Sequence, residues 1–170
     1  MQHSTKKLGM MFTVSGWILG FLLLGLIFSK VLDHQTNPNQ SVATSQSSQF
    51  QEIVLERNRY GHYVFDGEIN GKPVTFLVDT GATEISIPAN LQSYLRLKAG
   101  PSFNVSTANG IISVSSTRLD ELKMGEIMLT DIRAHLNPGL PSDEILLGMN
   151  VLSRMELVQR GDSLIIRQYH

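Results

Sequence analysis

The 170-residue chain contains no cysteine. A disulfide framework, a thiol nucleophile and a thiolate metal site are therefore excluded. An excess of either charge is also missing: 14 Lys and Arg stand against 15 Asp and Glu, with no basic stripe, which argues against nucleic acid as a partner. The five histidines, His3, His34, His62, His135 and His170, form no i, i+4 pair and have no glutamate in a zinc-protease arrangement. They read as surface residues, and neither a metal nor any other cofactor is expected. Helical periodicity is scarce beyond the N-terminus, and the length suits one domain with an accessory segment.

The long apolar run that is present, "LGMMFTVSGWILGFLLLGLIFS" from Leu8 to Ser29, carries no charge. At about 1.5 Å per residue it reaches roughly 33 Å as a helix, enough to cross a bilayer. A cleaved secretory signal fits less well, because its apolar region is usually about 7–15 residues long and ends in a small-x-small site. Lys6 and Lys7 precede the run while Lys30 is answered by Asp33, so the positive-inside rule puts the N-terminus in the cytoplasm and the rest outside. Residues 1–32 thus read as a cytoplasmic N-terminus and single-pass anchor, in contact with the membrane through residues 8–29. Gly16 and Gly20 form a G-xxx-G pair, a weak signal for close helix packing. Residues 33–52, rich in Gln, Ser, Asn and Thr, lack the apolar content to order themselves and read as a flexible polar tether. The folded domain is expected over residues 53–170.

Within that domain the dominant period is two, punctuated by Gly and Asn. In "HYVFDGEINGKPVTFLVD" two alternating runs flank Asn70-Gly71, and Asn-Gly suits a type I′ hairpin because both residues tolerate positive φ. A second Asn-Gly, Asn109-Gly110, predicts a hairpin from Val105 to Leu119. Further strands are expected at Ile127–Asn137, Glu144–Leu147, Glu156–Gln159 and Ser163–Gln168. Helix is expected only as a turn near Ala89–Tyr94 and a short element around Met149–Arg154. The pattern is that of a small all-β barrel or sandwich of about seven or eight strands.

One acid does not fit a purely structural role. In "VTFLVDTGATEISIP", Val74 to Pro88, Asp79 closes an apolar strand and is followed by Thr80 and Gly81. A buried carboxylate costs several kcal/mol unless it is hydrogen-bonded, paired or protonated. Donors are at hand in the Thr80 hydroxyl and in the backbone N–H groups of Gly81 and Ala82, since Gly81 has no side chain to obstruct approach. An ordinary Asx-turn acid would satisfy the same local pattern.

The wider context resembles the active-site signature of aspartic proteases, with two hydrophobic residues before Asp-Thr-Gly-Ala. More closely, the region from Ile53 onward resembles the retropepsin-like, single-domain aspartic proteases of bacteria that follow an N-terminal membrane anchor. "STANGI" falls where that family places its flap, and "ILLGMNVL" resembles the hydrophobic-hydrophobic-Gly element and short helix that close the fold. The resemblance implies a small closed β-barrel of the aspartic protease half-domain type with one short helix. It implies a catalytic role for Asp79, loop support from Thr80, Gly81 and Ala82, and a flap tip at Thr107, Ala108, Asn109 and Gly110 that covers an extended peptide. It also places Leu147 and Gly148 beneath the catalytic loop. Only one Asp-Thr-Gly is present, whereas the chemistry needs two carboxylates, so a homodimer is expected. The expected protein is an aspartic endopeptidase of the bacterial inner membrane, its catalytic domain periplasmic and its substrate a peptide or protein. The competing reading is a non-catalytic β-barrel module that binds peptides at the membrane surface.

Overall fold

In the structure, a computed structural model that describes residues 2–107 and 110–169, the chain divides into two units in sequence, the first ending at Gln35 and the second beginning at Thr36. The first is one helix, α1 (Gln2–Thr36). Its residues from Gly9 onward are long and apolar enough to cross a bilayer. Large side chains such as Trp17, Leu22 and Phe28 are exposed along it, with no apolar stripe confined to one face. An N-terminal helix of this kind serves as a membrane span or as a signal sequence.

The second unit begins earlier than the sequence suggests, and the stretch read as a flexible tether is ordered in large part. α1 continues to Thr36, and a short strand, β1 (Thr44–Gln46), pairs with β2 (Phe50–Glu56). Between them Asn37 and Asn39 are buried. The Asn39 amide donates to the carbonyls of Glu56 at 2.9 Å and Val64 at 2.7 Å, and its Oδ1 accepts from the Glu56 N–H at 2.8 Å. Asn37 donates to Asp66 Oδ1 at 2.7 Å and accepts from the Asn39 N–H at 3.0 Å. Low apolar content rules out a hydrophobic anchor for this segment, but side-chain amides that complete backbone ladders order it instead.

The remaining elements are β3 (Val64–Ile69), β4 (Lys72–Val78), β5 (Ile85–Pro88), β6 (Ser102–Thr107), β7 (Gly110–Met124), β8 (Ile127–Asn137), β9 (Ile145–Leu147), α2 (Met149–Leu152), β10 (Glu156–Arg160) and β11 (Ser163–Tyr169), with a 3-10 turn at Ala89–Leu91. They form a four-stranded sheet, β1-β2-β11-β10, and a seven-stranded one, β3-β4-β9-β5-β8-β7-β6. The larger sheet closes into a ring where β3 meets β7 through Glu68↔Lys123 and Ile69↔Leu122. The unit is all-β with one short α-helix, as expected, and the closure is a narrow seam of two residue pairs. Alternating side chains turn inward to fill the core, where Phe65 and Phe76 stack at 5.3 Å among Ile53, Leu55, Leu122 and Ile127.

Both hairpins form. Asn70 and Gly71 take φ of 52° and 68°, the left-handed pair of a type I′ turn. The second hairpin pairs Thr107 with Gly110, and β7 runs on to Met124, five residues past the expected end at Leu119. Among the described residues one histidine departs from the surface reading: His135 is buried on β8, on the strand face opposite Ile132, Ala134 and Leu136, where the Phe103 ring lies against it.

Candidate active site

The loop after β4 owes its shape to a topological crossing. β9 lies between β4 and β5, pairing Val78 with Leu147 on one side and Ser86 with Leu146 on the other. The connection Asp79–Glu84 must therefore pass around the end of β9. Three backbone bonds fix its course: Asp79 N–H to Leu147 O at 3.1 Å, Met149 N–H to Ala82 O at 2.8 Å, and Asn150 N–H to Thr83 O at 3.0 Å. The last two donors belong to the first turn of α2, where N–H groups have no intrahelical partner. They are spent on the loop instead. Gly148 makes the approach possible: a Cβ there would lie 2.5 Å from Glu84 O and 2.9 Å from Ala82 O. Leu147 is fully buried just before it.

On this platform Asp79 is half-buried, and its Oδ1 accepts the Gly81 N–H at 2.8 Å. Its position corrects the expectation of a buried carboxylate, because the apolar run stops at Val78 and the loop opens to solvent in the single chain. The donor set is also narrower than anticipated. The Ala82 N–H bonds to the Asp79 carbonyl at 3.2 Å and not to the carboxylate, while Thr80 is exposed.

Behind the loop, Glu84 faces Arg133 at 3.5 Å, and a buried Asn137 donates to Ser86 Oγ at 3.1 Å, joining β8 to β5. His135 stands beside them with its ring edge toward Phe103 at 6.1 Å. Burial pushes its imidazole below the ordinary 6.5, with the Glu84 charge pulling weakly the other way.

The β6–β7 arm carries exposed apolar side chains, Ile111 at 76% and Phe103 at 41%. Thr107 Oγ1 donates to Gly110 O at 2.8 Å, and Gly110 has φ +114°, a conformation that favours glycine. Ala108 and Asn109, expected at the tip, lie outside the described residues. The structure thus gathers Asp79, Thr80, Gly81, Ala82, Leu147 and Gly148 into one cluster, with Thr107 and Gly110 on a separate arm. Sequence reasoning missed Thr83 and Asn150, whose backbone bond helps hold the loop. Nothing local marks them, since their pairing spans the whole β5–β9 connection.

A family model described as "gag-polyprotein putative aspartyl protease" matches residues 65–154, which include both the loop and the arm. Among curated proteins, the chain is 31% identical over 166 residues to an uncharacterized protein in the cobV 5′ region of Sinorhizobium sp, covering 91% of this chain and 67% of that protein. It is 28% identical over 128 residues to an uncharacterized protein of Rickettsia prowazekii (strain Madrid E), covering 72% and 54%. The chain therefore spans about two thirds and about half the length of these two relatives. Among solved structures, a retropepsin-like aspartic protease from Rickettsia conorii superposes with a TM-score of 0.59 at 28% identity, covering 76% of this chain and 96% of that one.

Proposed function

This chain belongs to the retropepsin-like aspartic proteases, and from that premise we propose that it is a membrane-anchored endopeptidase whose catalytic pair is Asp79 from two protomers. The observation that carries the reading is the Asp79–Glu84 loop, held by α2 and β9 so that a half-exposed carboxylate is presented at its start. A structural Asx turn would not need a second element of the fold committed to its underside.

One carboxylate cannot perform the chemistry alone. The ionised member of a pair takes a proton from water as the water oxygen attacks the scissile carbonyl, and the protonated member hydrogen-bonds the carbonyl oxygen. Collapse of the tetrahedral adduct breaks the C–N bond as the amine nitrogen takes up a proton. Two carboxylates about 3 Å apart share one proton, because both cannot ionise at that separation. With one Asp-Thr-Gly per chain, a two-fold dimer supplies the second. The pair titrates as a unit, and the singly protonated form is favoured in mildly acidic solution.

The exposed Thr80 is free to bond across the two-fold axis, and Gly81 fixes its own Asp79. The arm around Thr107, Ala108, Asn109 and Gly110 closes over an extended peptide, offering backbone bonds along the chain and the apolar Ile111 and Phe103 to its side chains. α1 acts as a single-pass anchor in the bacterial inner membrane and holds the catalytic domain on the periplasmic face.

The decisive comparison is the full chain in detergent against Asp79→Asn, assayed on a peptide mixture across acidic pH. Loss of at least about a thousandfold in kcat/KM with an unchanged circular dichroism spectrum is expected. Equal cleavage by both proteins defeats the proposal. Peptide binding without cleavage by either protein assigns the fold to a binding module. Specific activity that falls on dilution as dimers dissociate is the expected sign of a shared site.

A further inference from the structure

On the far side of β7 and β8 lies a cavity of about 490 Å³ lined by Arg118, Thr130, Asp131, Arg133, Asn150 and Arg154. Its charge arrangement runs against ordinary strand pairing. Arg118 and Arg133 are direct cross-strand partners, so two guanidinium groups start from adjacent positions on one face, where like charges repel. Arg154, just past α2, brings a third. The acids present do not balance them. Asp131 is committed to Arg118 through both carboxylate oxygens, which meet the Nε and Nη2 of one guanidinium edge, the Nη2 bond at 2.6 Å. Glu84 reaches Arg133 only at 3.5 Å, leaving most of its donors open. Among the described residues Arg154 has no ion pair.

Local backbone shape concentrates the charge. The β7–β8 ladder pairs Leu119 with Ile132 and Glu121 with Thr130 but omits Asp120 and Asp131. At that break Asp131 adopts φ +58°, a left-handed conformation that costs free energy in a non-glycine residue. The break lets Asp131 hold Arg118 at the cavity rim. Asn150 fixes the wall beside Arg133, donating through Nδ2 to Arg133 O at 2.8 Å.

We infer that this cavity is a binding site for a phosphate group. Its charged oxygens suit Arg133 and Arg154, whose donors come from two elements and match a tetrahedral anion. A carboxylate lacks the tetrahedral shape. Occupancy also competes with Glu84 for Arg133, which ties the site to the rear of the Asp79–Glu84 loop. The site stands whether or not the protein cleaves peptides.

The test is titration of the full chain, in phosphatidylcholine nanodiscs at neutral pH and constant ionic strength, with inorganic phosphate followed by calorimetry. Saturable binding is expected, with acetate weaker by about tenfold because a planar carboxylate does not engage both arginines as a tetrahedral anion does. Arg154→Gln and Arg133→Gln each weaken phosphate by about tenfold or more, while Arg160→Gln, on the distant β10 edge, leaves it unchanged. Both cavity positions are exposed, so these variants keep their fold. Discs carrying phosphatidic acid identify the source. A lipid headgroup in the site lowers the apparent affinity for free phosphate, whereas unchanged affinity assigns it to the soluble ion. Non-saturable uptake, acetate binding equal to phosphate, or indifference to both substitutions overturns the inference.

Discussion

Two hairpins in this domain carry the same Asn-Gly signal and meet opposite fates. At the β3–β4 turn, Asn70 is held by its neighbours: its N–H bonds Glu121 O at 3.0 Å, and its Oδ1 accepts the N–H groups of Asp120 and Glu121 at 3.1 and 3.0 Å. The first of these donors, Asp120, lies where the β7–β8 ladder omits a pair. The β6–β7 hairpin, by contrast, closes on itself through Thr107 and Gly110 and leaves Ile111 in solvent. A turn dipeptide therefore encodes where a chain reverses. Whether the reversal becomes a seal or a movable arm depends on unpaired backbone groups supplied by a distant strand.

The contrast breaks first at Gly67. A Cβ there would meet Lys123 O at 2.5 Å and the Phe76 ring at 2.9 Å, so Gly67→Ala forces the β3–β7 seam apart. A loss of about 3 kcal/mol is expected in urea unfolding, and no loss would show that the seam does not hold the ring. Asn70→Ala removes two bonds to Asp120 and Glu121 and places alanine at φ 52°, for an expected cost of about 2 kcal/mol. Gly110→Ala meets no atom within 4 Å and faces only an unfavourable φ of +114°, so its cost is about 1–2 kcal/mol. Its signature is kinetic: kcat/KM on peptides falls further than stability does, provided the arm covers the substrate. Equal effects on both measures would erase the distinction between seal and arm.

The smallest effect is a pH slope at the root of the arm, where His135 meets Phe103. Burial lowers the folded-state pKa of His135 below 6.5, so the unfolded chain binds the proton more readily. The stabilisation is complete above about pH 6.5 and is lost as pH falls through the folded value. His135→Gln should flatten that slope in thermal melts taken over the same window.

Much of the fold could be read directly. Alternation located β3, β4, β8 and β11, the Asn-Gly pairs located both turns, and "ILLGMNVL" located β9 and α2 because its apolar run meets a glycine that no other residue can replace. The Asp-Thr-Gly loop was legible for the same reason: its glycine and acid sit together in sequence. What stayed hidden is held by partners far away in the chain. The half-exposure of Asp79 reflects how the loop leaving β4 passes around the end of β9, and the burial of His135 reflects the Phe103 ring that β6 brings against it. Asn37 and Asn39 sit in a stretch whose composition signals disorder, and partners remote in sequence give them work: the Asp66 carboxylate for Asn37, and the Glu56 backbone and Val64 carbonyl for Asn39.

That last pair has a consequence for any shedding of the domain by proteolysis. The exposed residues Gln40, Ser41 and Ala43 offer a protease an obvious place to cut. A nick there severs the covalent link to the helix, yet Asn39 stays inserted between the ends of β2 and β3 like a peptide ligand in its own receptor. Release then waits on dissociation, and the two fragments should co-purify until denaturant pulls them apart.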